Sequence, residues 1–256
     1  MLEIVQIPVL SDNYVYLLHD AATGATAAVD PSLASPVLNE LAMRGWTLTH
    51  ILNTHHHGDH VGGNLDLQRA TGCVIVGARR DRARIPGIGV EVGEGDVIAL
   101  GTSRGRVFDT PGHTHGHIVY WFEAEQALFC GDTLFTMGCG MLFEGTAAEM
   151  WRSLSRILEL PDATRIYCAH EYSLENGQFA LTLEPDNDTL RRRMAEVERF
   201  TAARQPTVPA TLAEERATNP LLRPTSPALQ RTLGMIGADP LQVFARTRQL
   251  RDDFGD

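Results

Sequence analysis

Hydrophobic and polar positions form short alternating runs over the first two thirds of the chain, and these runs predict strands. They are rich in β-branched and aromatic residues and are bounded by Gly, Pro or Asp. In one-letter code they read NYVYLLHD, ATAAVD, HILNT, CVIVGA, DVIALG, RGRVFDT, IVYWFEA and ALFCGD. Apolar residues at helical spacing predict helices at SPVLNELAMRG, HVGGNLDLQRATG and TAAEMWRSLSRILEL. Strands that alternate with helices indicate an α/β domain.

The strand pattern stops near Ser173, and the rest of the chain has a helical pattern. DTLRRRMAEVERFTAARQ and DPLQVFARTRQLRDDF have helical spacing, and a proline-rich connection from Pro206 to Pro227 separates them. We therefore predict two domains, an α/β domain over residues 1–172 and a smaller all-helical domain over residues 173–256.

Composition narrows the class of protein. Of the 256 residues, 43% are hydrophobic and 21% are charged, as in ordinary soluble proteins, and the formal net charge of -10 argues against a nucleic-acid partner. The N-terminal run lacks a cationic region and contains Glu3, and no apolar run approaches the roughly 20 residues of a membrane span. We expect a cytoplasmic monomer with no membrane partner. The four cysteines lack CxxC spacing, which predicts reduced core thiols.

The segment LNTHHHGDHVGG, from Leu52 to Gly63, concentrates histidines between a predicted strand and a predicted helix. His55 and His57 are two residues apart, so an extended segment places both on one side, with His56 pointing away as a structural residue. Asp59 and His60 follow where the chain turns into the helix. Loops at strand ends present side chains to clefts, and imidazole and carboxylate groups are ligands of zinc-type metals. We interpret the segment as a metal-binding loop.

Further candidate ligands follow later strands. DTPGHTHGH carries His113, His115 and His117, LFCGDTLF carries Asp132, and IYCAHEY carries His170. Each polar residue ends an apolar run, where a purely structural core would favour another hydrophobic side chain. The pattern therefore predicts ligands that converge from several strand ends.

Four of these motifs together resemble the metallo-β-lactamase superfamily: THHHGDH, PGHTHGH, GDTLF and CAHEY. Four further segments resemble its glyoxalase II (hydroxyacylglutathione hydrolase) branch: SDNYVYLL, GCGMLFEGT, PTVPATLAEERATNP and RTRQLRDDF. The resemblance implies a four-layered αββα sandwich followed by a smaller all-helical domain that binds glutathione. It implies hydrolysis of S-D-lactoylglutathione and other S-2-hydroxyacylglutathiones to a 2-hydroxy acid and glutathione, the second step of methylglyoxal detoxification.

The resemblance also implies a ligand set for two divalent metal ions, with zinc expected and iron or manganese possible. His55, His57 and His113 would hold the first ion, and Asp59, His60 and His170 the second. Asp132 would bridge the two ions together with a water or hydroxide that attacks the thioester. His115 receives no function, and His117 is expected to support the ligands rather than to be one.

Substrate binding is implied at four other positions. The family holds glutathione with an aromatic residue after its GCG segment, a tyrosine after its HE pair and two basic residues near the C-terminus. These correspond to Phe143, Tyr172, Arg248 and Arg251. Where the family usually has an arginine or lysine, this chain has Met141, so a cationic contact to the glutathione backbone is missing.

Four alternative functions remain open at this point. A lactonase or β-lactamase of the superfamily should lack the helical C-terminal domain. A persulfide dioxygenase binds a single iron, and a hydrolase of a different thioester would keep the same metal chemistry. A non-catalytic metal-stabilised module is disfavoured, because structural sites are usually closed and four-coordinate and often contain cysteine.

Overall fold

The computed structural model describes residues 1–254, and the chain divides into two compact units. The first unit comprises Met1–Thr110 and His115–Gly131, and the second comprises Pro111–Thr114 and the chain from Asp132 onward. The last two residues of the predicted helical domain, 255 and 256, lie outside the described residues. The division of the sequence at residue 172 stays a prediction.

A six-stranded sheet begins the first unit, with strand order β1-β2-β3-β4-β5-β6. Pairing is antiparallel from β1 to β3 and parallel from β3 to β6. The strand β2 is buried along its whole length, because both faces of the sheet are covered there. The bounds are β1 Glu3–Val9, β2 Asn13–Asp20, β3 Ala25–Val29, β4 His50–Leu52, β5 Val74–Ala78 and β6 Ile88–Val92.

Helices α1 (Ala34–Arg44), α2 (Gly58–Val61) and α3 (Asn64–Thr71) belong to this unit, and buried residues of α1 and α3 pack in one cluster with residues of the sheet. The expectation of one continuous helix over HVGGNLDLQRATG is wrong, because the chain breaks at Gly62 and Gly63. The N–H of Gly63 donates to the carbonyl of Pro31 at 2.8 Å. A Cβ at either glycine would lie 2.6–2.7 Å from a carbonyl oxygen of Pro31 or Ser32. The helix is therefore interrupted where the backbone of Gly62 and Gly63 closely approaches the backbone of Pro31 and Ser32.

A second sheet faces the first within the same unit. Its strands β7 (Val97–Leu100), β8 (Ser103–Asp109), β9 (Ile118–Phe122) and β10 (Ala127–Gly131) are antiparallel in the order β10-β9-β8-β7. The rings of Tyr16 and Phe129 meet edge to face at 5.6 Å between the sheets. Burial raises the pKa of Tyr120 well above its usual range, and this hydroxyl donates to the carbonyl of Asn53 at 2.9 Å. That bond holds the start of the histidine-rich loop against the second sheet.

The second unit is mainly helical. It contains the two-stranded hairpin of β11 (Leu134–Phe135) and β12 (Gly138–Cys139) and the pair β13 (Arg165–Cys168) and β14 (Ala210–Thr211). Its helices are α4 Ala147–Ile157, α5 Ser173–Leu183, α6 Asp188–Ala202, α7 Leu212–Thr218, α8 Pro227–Thr232 and α9 Pro240–Asp252. The predicted connection from Pro206 to Pro227 thus contains a strand and a helix. Thr211 and Glu214 form a capping box that starts α7, a signal that hydrophobic periodicity does not carry.

All four cysteines are buried and none forms a disulfide, as predicted. Burial raises the pKa of the Cys168 thiol to about 12, so it stays protonated and unreactive. Among the helices of residues 1–254, none combines the length and the apolar character needed to cross a bilayer.

Candidate metal centre

Four predicted ligands gather in the first unit, on the loop that leaves β4. His57 precedes α2 as its N-cap, and Asp59 and His60 lie within this single helical turn. The ring of His55 lies 4.7 Å from that of His57 and 4.0 Å from that of His60. The Nε2 atom of His60 lies 3.3 Å from Oδ2 of Asp59. The loop therefore brings imidazole and carboxylate groups into one cluster.

Hydrogen bonds to Asp30 determine which nitrogen each of two histidines presents. Oδ2 of Asp30 faces Nδ1 of His60 at 3.1 Å and accepts the hydroxyl hydrogen of Thr54 at 2.7 Å. Since this hydroxyl has one hydrogen, its contact with Nδ1 of His55 at 3.1 Å must be one in which the histidine donates. Both imidazoles then carry the Nε2 lone pair that a metal requires, in the arrangement typical of metal-binding histidines.

Asp59 is oriented by polar residues that sequence analysis did not single out. The amide of Asn13 donates to Oδ2 of Asp59 at 3.0 Å, and the hydroxyl of Ser32 donates to its backbone carbonyl.

Sequence analysis also did not single out Asp30, which is buried and follows the last residue of β3. Its position at the end of an apolar run is the same signal that identified Asp132.

The second unit holds the other three predicted ligands, His113, Asp132 and His170. Oδ2 of Asp132 lies 3.3 Å from Nε2 of His113, and Oδ1 lies 3.5 Å from Nε2 of His170. All three side chains are buried. Each carboxylate oxygen thus faces a different imidazole.

The backbone after the hairpin orients His113. Its Nδ1 lies 2.8 Å from the carbonyl of Met141, an oxygen that can only accept, so this nitrogen carries the hydrogen. The Nε2 lone pair of His113 is therefore directed toward Asp132. The side chain of Met141 is 47% exposed and takes no part in this contact.

Two of the predicted substrate-binding residues are aromatic and lie beside ligands of this unit. The ring of Tyr172 stacks on that of His170 at 4.9 Å with an interplanar angle of 4°. The ring of Phe143 meets His113 edge to face at 5.2 Å and is 63% exposed. Both rings present apolar surface next to the candidate ligands.

The two arginines that are predicted to bind glutathione, Arg248 and Arg251, form hydrogen bonds with other residues of the protein. Arg248 is 5% exposed and donates to the carbonyl of Cys139 at 2.6 Å and to Asp252 at 2.7 Å. Arg251 donates to Asn176 and to Glu175, each at 3.0 Å. Neither guanidinium is a solvated charge.

The remaining histidines differ in their surroundings. His56 contacts Asp81 at 3.1 Å through Nδ1, in keeping with a structural role, and His115 is exposed. The ring of His117 stacks on that of His55 at 4.8 Å, and its Nδ1 lies 3.1 Å from the hydroxyl of Thr110.

All of the predicted ligands are histidine or aspartate side chains that could hold a metal ion: His55, His57, Asp59 and His60 in the first unit, and His113, Asp132 and His170 in the second. The donors are nitrogen and oxygen throughout, without a thiolate. This chemistry fits a divalent ion of the zinc, iron or manganese type.

Comparison with known proteins identifies the class. Residues 11–170 match the metallo-β-lactamase superfamily, and residues 171–254 match the hydroxyacylglutathione hydrolase C-terminus. Among solved structures, ETHE1 from Myxococcus xanthus is similar with a TM-score of 0.67 and 24% identity, with full coverage of both chains. A Staphylococcus aureus metallo-β-lactamase has the same TM-score at 22% identity, covering 98% of this chain and 71% of that one. At such identity these structures show the fold alone, and the predicted fold class is confirmed.

Closer relatives narrow the assignment. A hydroxyacylglutathione hydrolase of Methylococcus capsulatus is 58% identical over 254 residues, and one of Rhodospirillum rubrum is 56% identical over 253 residues. Each alignment covers 99% of both chains. The chain therefore belongs to the metallo-β-lactamase superfamily and, within it, to the hydroxyacylglutathione hydrolase family.

Proposed function

We propose that this protein is a metal-dependent hydrolase of S-2-hydroxyacylglutathiones that converts S-D-lactoylglutathione to D-lactate and glutathione. The substrate class follows from the family, whose C-terminal region this chain contains. The observation that carries the chemistry is the placement of Asp132, whose two oxygens face two different histidines. A persulfide dioxygenase is not favoured, because the full-length relatives are hydroxyacylglutathione hydrolases.

The ligand set proposed for two divalent ions is His55, His57 and His113 for one, and Asp59, His60 and His170 for the other, with Asp132 shared. Divalent ions held by these residues would supply Lewis-acid chemistry, which lowers the pKa of a bound water and polarises a thioester carbonyl. We expect zinc, and iron and manganese accept the same donors.

The protein's own part in the reaction is to orient the nitrogen and oxygen atoms that would bind the metal ions. Asp30 and the carbonyl of Met141 favour the tautomer of His60 and His113 with the hydrogen on Nδ1, so that the neutral imidazole presents the Nε2 lone pair to a metal. Hydrolysis breaks the C–S bond and releases the glutathione thiolate. Because a thiolate is a good leaving group, the reaction requires no side chain to protonate it.

Phe143 and Tyr172 are the proposed aromatic contacts of the substrate, since both rings lie against candidate ligands and Phe143 is exposed. Glutathione binding by Arg248 and Arg251 stays a prediction. A glutathione carboxylate would compete with Asp252 for the first and with Glu175 for the second.

The proposal is tested by assaying purified protein with S-D-lactoylglutathione while the metal content of the same preparation is measured. We expect release of free thiol, two metal equivalents per chain and no oxygen consumption. Chelation should abolish activity, and added zinc should restore it. A preparation replete with metal that leaves the thioester intact would refute the proposed substrate, and one that consumes oxygen would favour the dioxygenase.

Met141→Arg tests whether position 141 faces bound glutathione. The exposed side chain leaves room for a longer one, and the backbone contact to His113 is retained. A charged hydrogen bond to the peptide would lower KM by about threefold to tenfold, because exposure reduces its usual strength. Turnover should change little, since the contact forms in ground and transition states alike. Met141→Leu is the control, and an unchanged or higher KM in Met141→Arg would show that the position does not contact the thiol carrier.

A further inference from the structure

The segment from Asp132 to Met141 reaches both ring nitrogens of His113. It consists of the β11–β12 hairpin with one flanking segment at each end. Before the hairpin, Oδ2 of Asp132 faces Nε2 of His113, and after it the carbonyl of Met141 contacts Nδ1. Between them, a Cβ at Gly140 would lie 2.0 Å from the Asp132 carbonyl oxygen and 3.1 Å from Nδ1 of His113. The position of the hairpin therefore determines how His113 and Asp132 meet.

This hairpin has little stability of its own. Each strand has two residues, and hairpins with so few pairs are marginal in isolation. Its turn also places Met137 at φ 55°, in the left-handed region that non-glycine residues disfavour. Contacts from outside the hairpin must therefore hold its conformation.

Four side chains from the chain after β13 supply those contacts, and we call them the clamp: Asn176, Glu215, Asn219 and Arg248. Together they bond one backbone group of each consecutive residue from Phe135 to Cys139. The amide of Asn176 donates to the carbonyl of residue 136 at 3.1 Å, and the carboxylate of Glu215 accepts from the N–H of residue 137 at 2.9 Å. Asn219 donates to the carbonyls of residues 135 and 138, and Arg248 donates to that of residue 139.

Two further arginines fix the orientation of clamp residues. Nε of Arg251 donates to Oδ1 of Asn176 at 3.0 Å, which directs the NH₂ of this amide toward the hairpin carbonyl. Arg193 donates to Oε1 of Glu215 at 2.5 Å, which leaves Oε2 for the hairpin N–H. Both carboxylate oxygens of this fully buried glutamate thus have donors.

We infer that the clamp positions the metal ligands, and that Arg248 and, through Asn176, Arg251 act on the metal centre by holding the hairpin that orients His113 and Asp132. This inference needs the metal site of the proposed function but not its substrate. It gives the two arginines a role that does not depend on contact with glutathione.

The test uses full-length apo protein, with zinc affinity measured in competition with a chromogenic chelator. Arg248→Ala removes the donor to Cys139, and Asn176→Asp replaces a donor to Thr136 by an acceptor without changing size. Arg246→Ala is the matched control, since Arg246 is an exposed arginine of the same helix and donates to Gln249 within that helix. We expect zinc affinity to fall about 10-fold or more in the first two variants, as for other groups that orient metal ligands, and to stay unchanged in the control.

Kinetics with two substrates separate positioning from substrate binding. In Arg248→Ala, kcat should fall by the same factor for S-D-lactoylglutathione and for a thioester without glutathione. Arg248→Lys, which keeps a donor, should recover part of the zinc affinity. Thermal unfolding of the apo variants identifies any that fail to fold. If Arg248→Ala fails to fold, the zinc affinity and kcat of Asn176→Asp decide the test.

The inference would be overturned if a folded Arg248→Ala variant kept wild-type zinc affinity and showed only a raised KM for the glutathione thioester. That result would support a substrate-binding role for Arg248. A lower melting temperature with unchanged zinc affinity and kcat would also overturn it, because the clamp would then be purely structural. If the wild type does not hydrolyse glutathione thioesters, the zinc measurements still decide.

Discussion

Asp132→Ala should lower hydrolysis of S-D-lactoylglutathione by several orders of magnitude and reduce the amount of bound metal. The substitution removes the carboxylate whose two oxygens face His113 and His170, and with it the proposed shared ligand. The activated water and the stabilisation of the oxyanion would be lost together, and each alone contributes about 10²-fold or more. Metal content and steady-state turnover are measured on the same preparation.

The control for this variant is Asp186→Ala, which removes an exposed carboxylate paired with Arg191 in the same unit. It should keep wild-type turnover and metal content. If Asp132→Ala, saturated with metal, keeps more than a tenth of wild-type turnover, the two-metal assignment is wrong.

Asp30→Asn should cost about 10- to 100-fold in metal affinity or turnover, although Asp30 is not itself a proposed ligand. The carboxylate faces three donor groups: the N–H and hydroxyl of Thr54 and Nδ1 of His60. An amide has one acceptor oxygen, so its NH₂ group would confront at least one of these donors. The orientations of His55 and His60 would then no longer be fixed. Metal affinity is measured by chelator competition and turnover with S-D-lactoylglutathione.

Asp20→Asn separates this effect from the general cost of altering a buried aspartate. Asp20 is as buried as Asp30 and accepts from the backbone and side chains of its own turn and of Thr102. Its variant should lose thermal stability and keep the metal affinity. Equal losses of metal affinity in the two variants would indicate a general effect on folding, and no loss in Asp30→Asn would remove its orienting role.

The apolar runs predicted eight of the ten strands of the first unit and missed β1 and β6, which are the two edge strands of the first sheet. It also located the candidate ligands, since each follows an apolar run with a residue that a structural core would exclude. It did not predict the helix break after His60. That break depends on the approach of Pro31 and Ser32 to two glycines, a contact between segments far apart in sequence.

Arg248 and Arg251 show a second limit of sequence reasoning. Their spacing of three places them on one face of a helix, and periodicity alone cannot distinguish a solvated face from a buried one. Arg248 is in fact buried, and its partner Cys139 lies 109 positions earlier in the chain. Asn176 lay in no motif, and Asn219 lay in one without an assigned role, because an amide that bonds distant backbone resembles any other polar residue in sequence.

The contacts of the β11–β12 hairpin have a consequence for modularity. The two family matches meet between residues 170 and 171, so every clamp residue lies in the second region while the hairpin lies in the first. A compact unit nevertheless contains both, beginning at Asp132. The C-terminal region is therefore not an accessory that can be exchanged freely between relatives. A chimera that joins this first region to a foreign tail must bring its own donors and acceptor for five backbone groups, and recombination at the boundary between the two matches would separate parts of one compact unit.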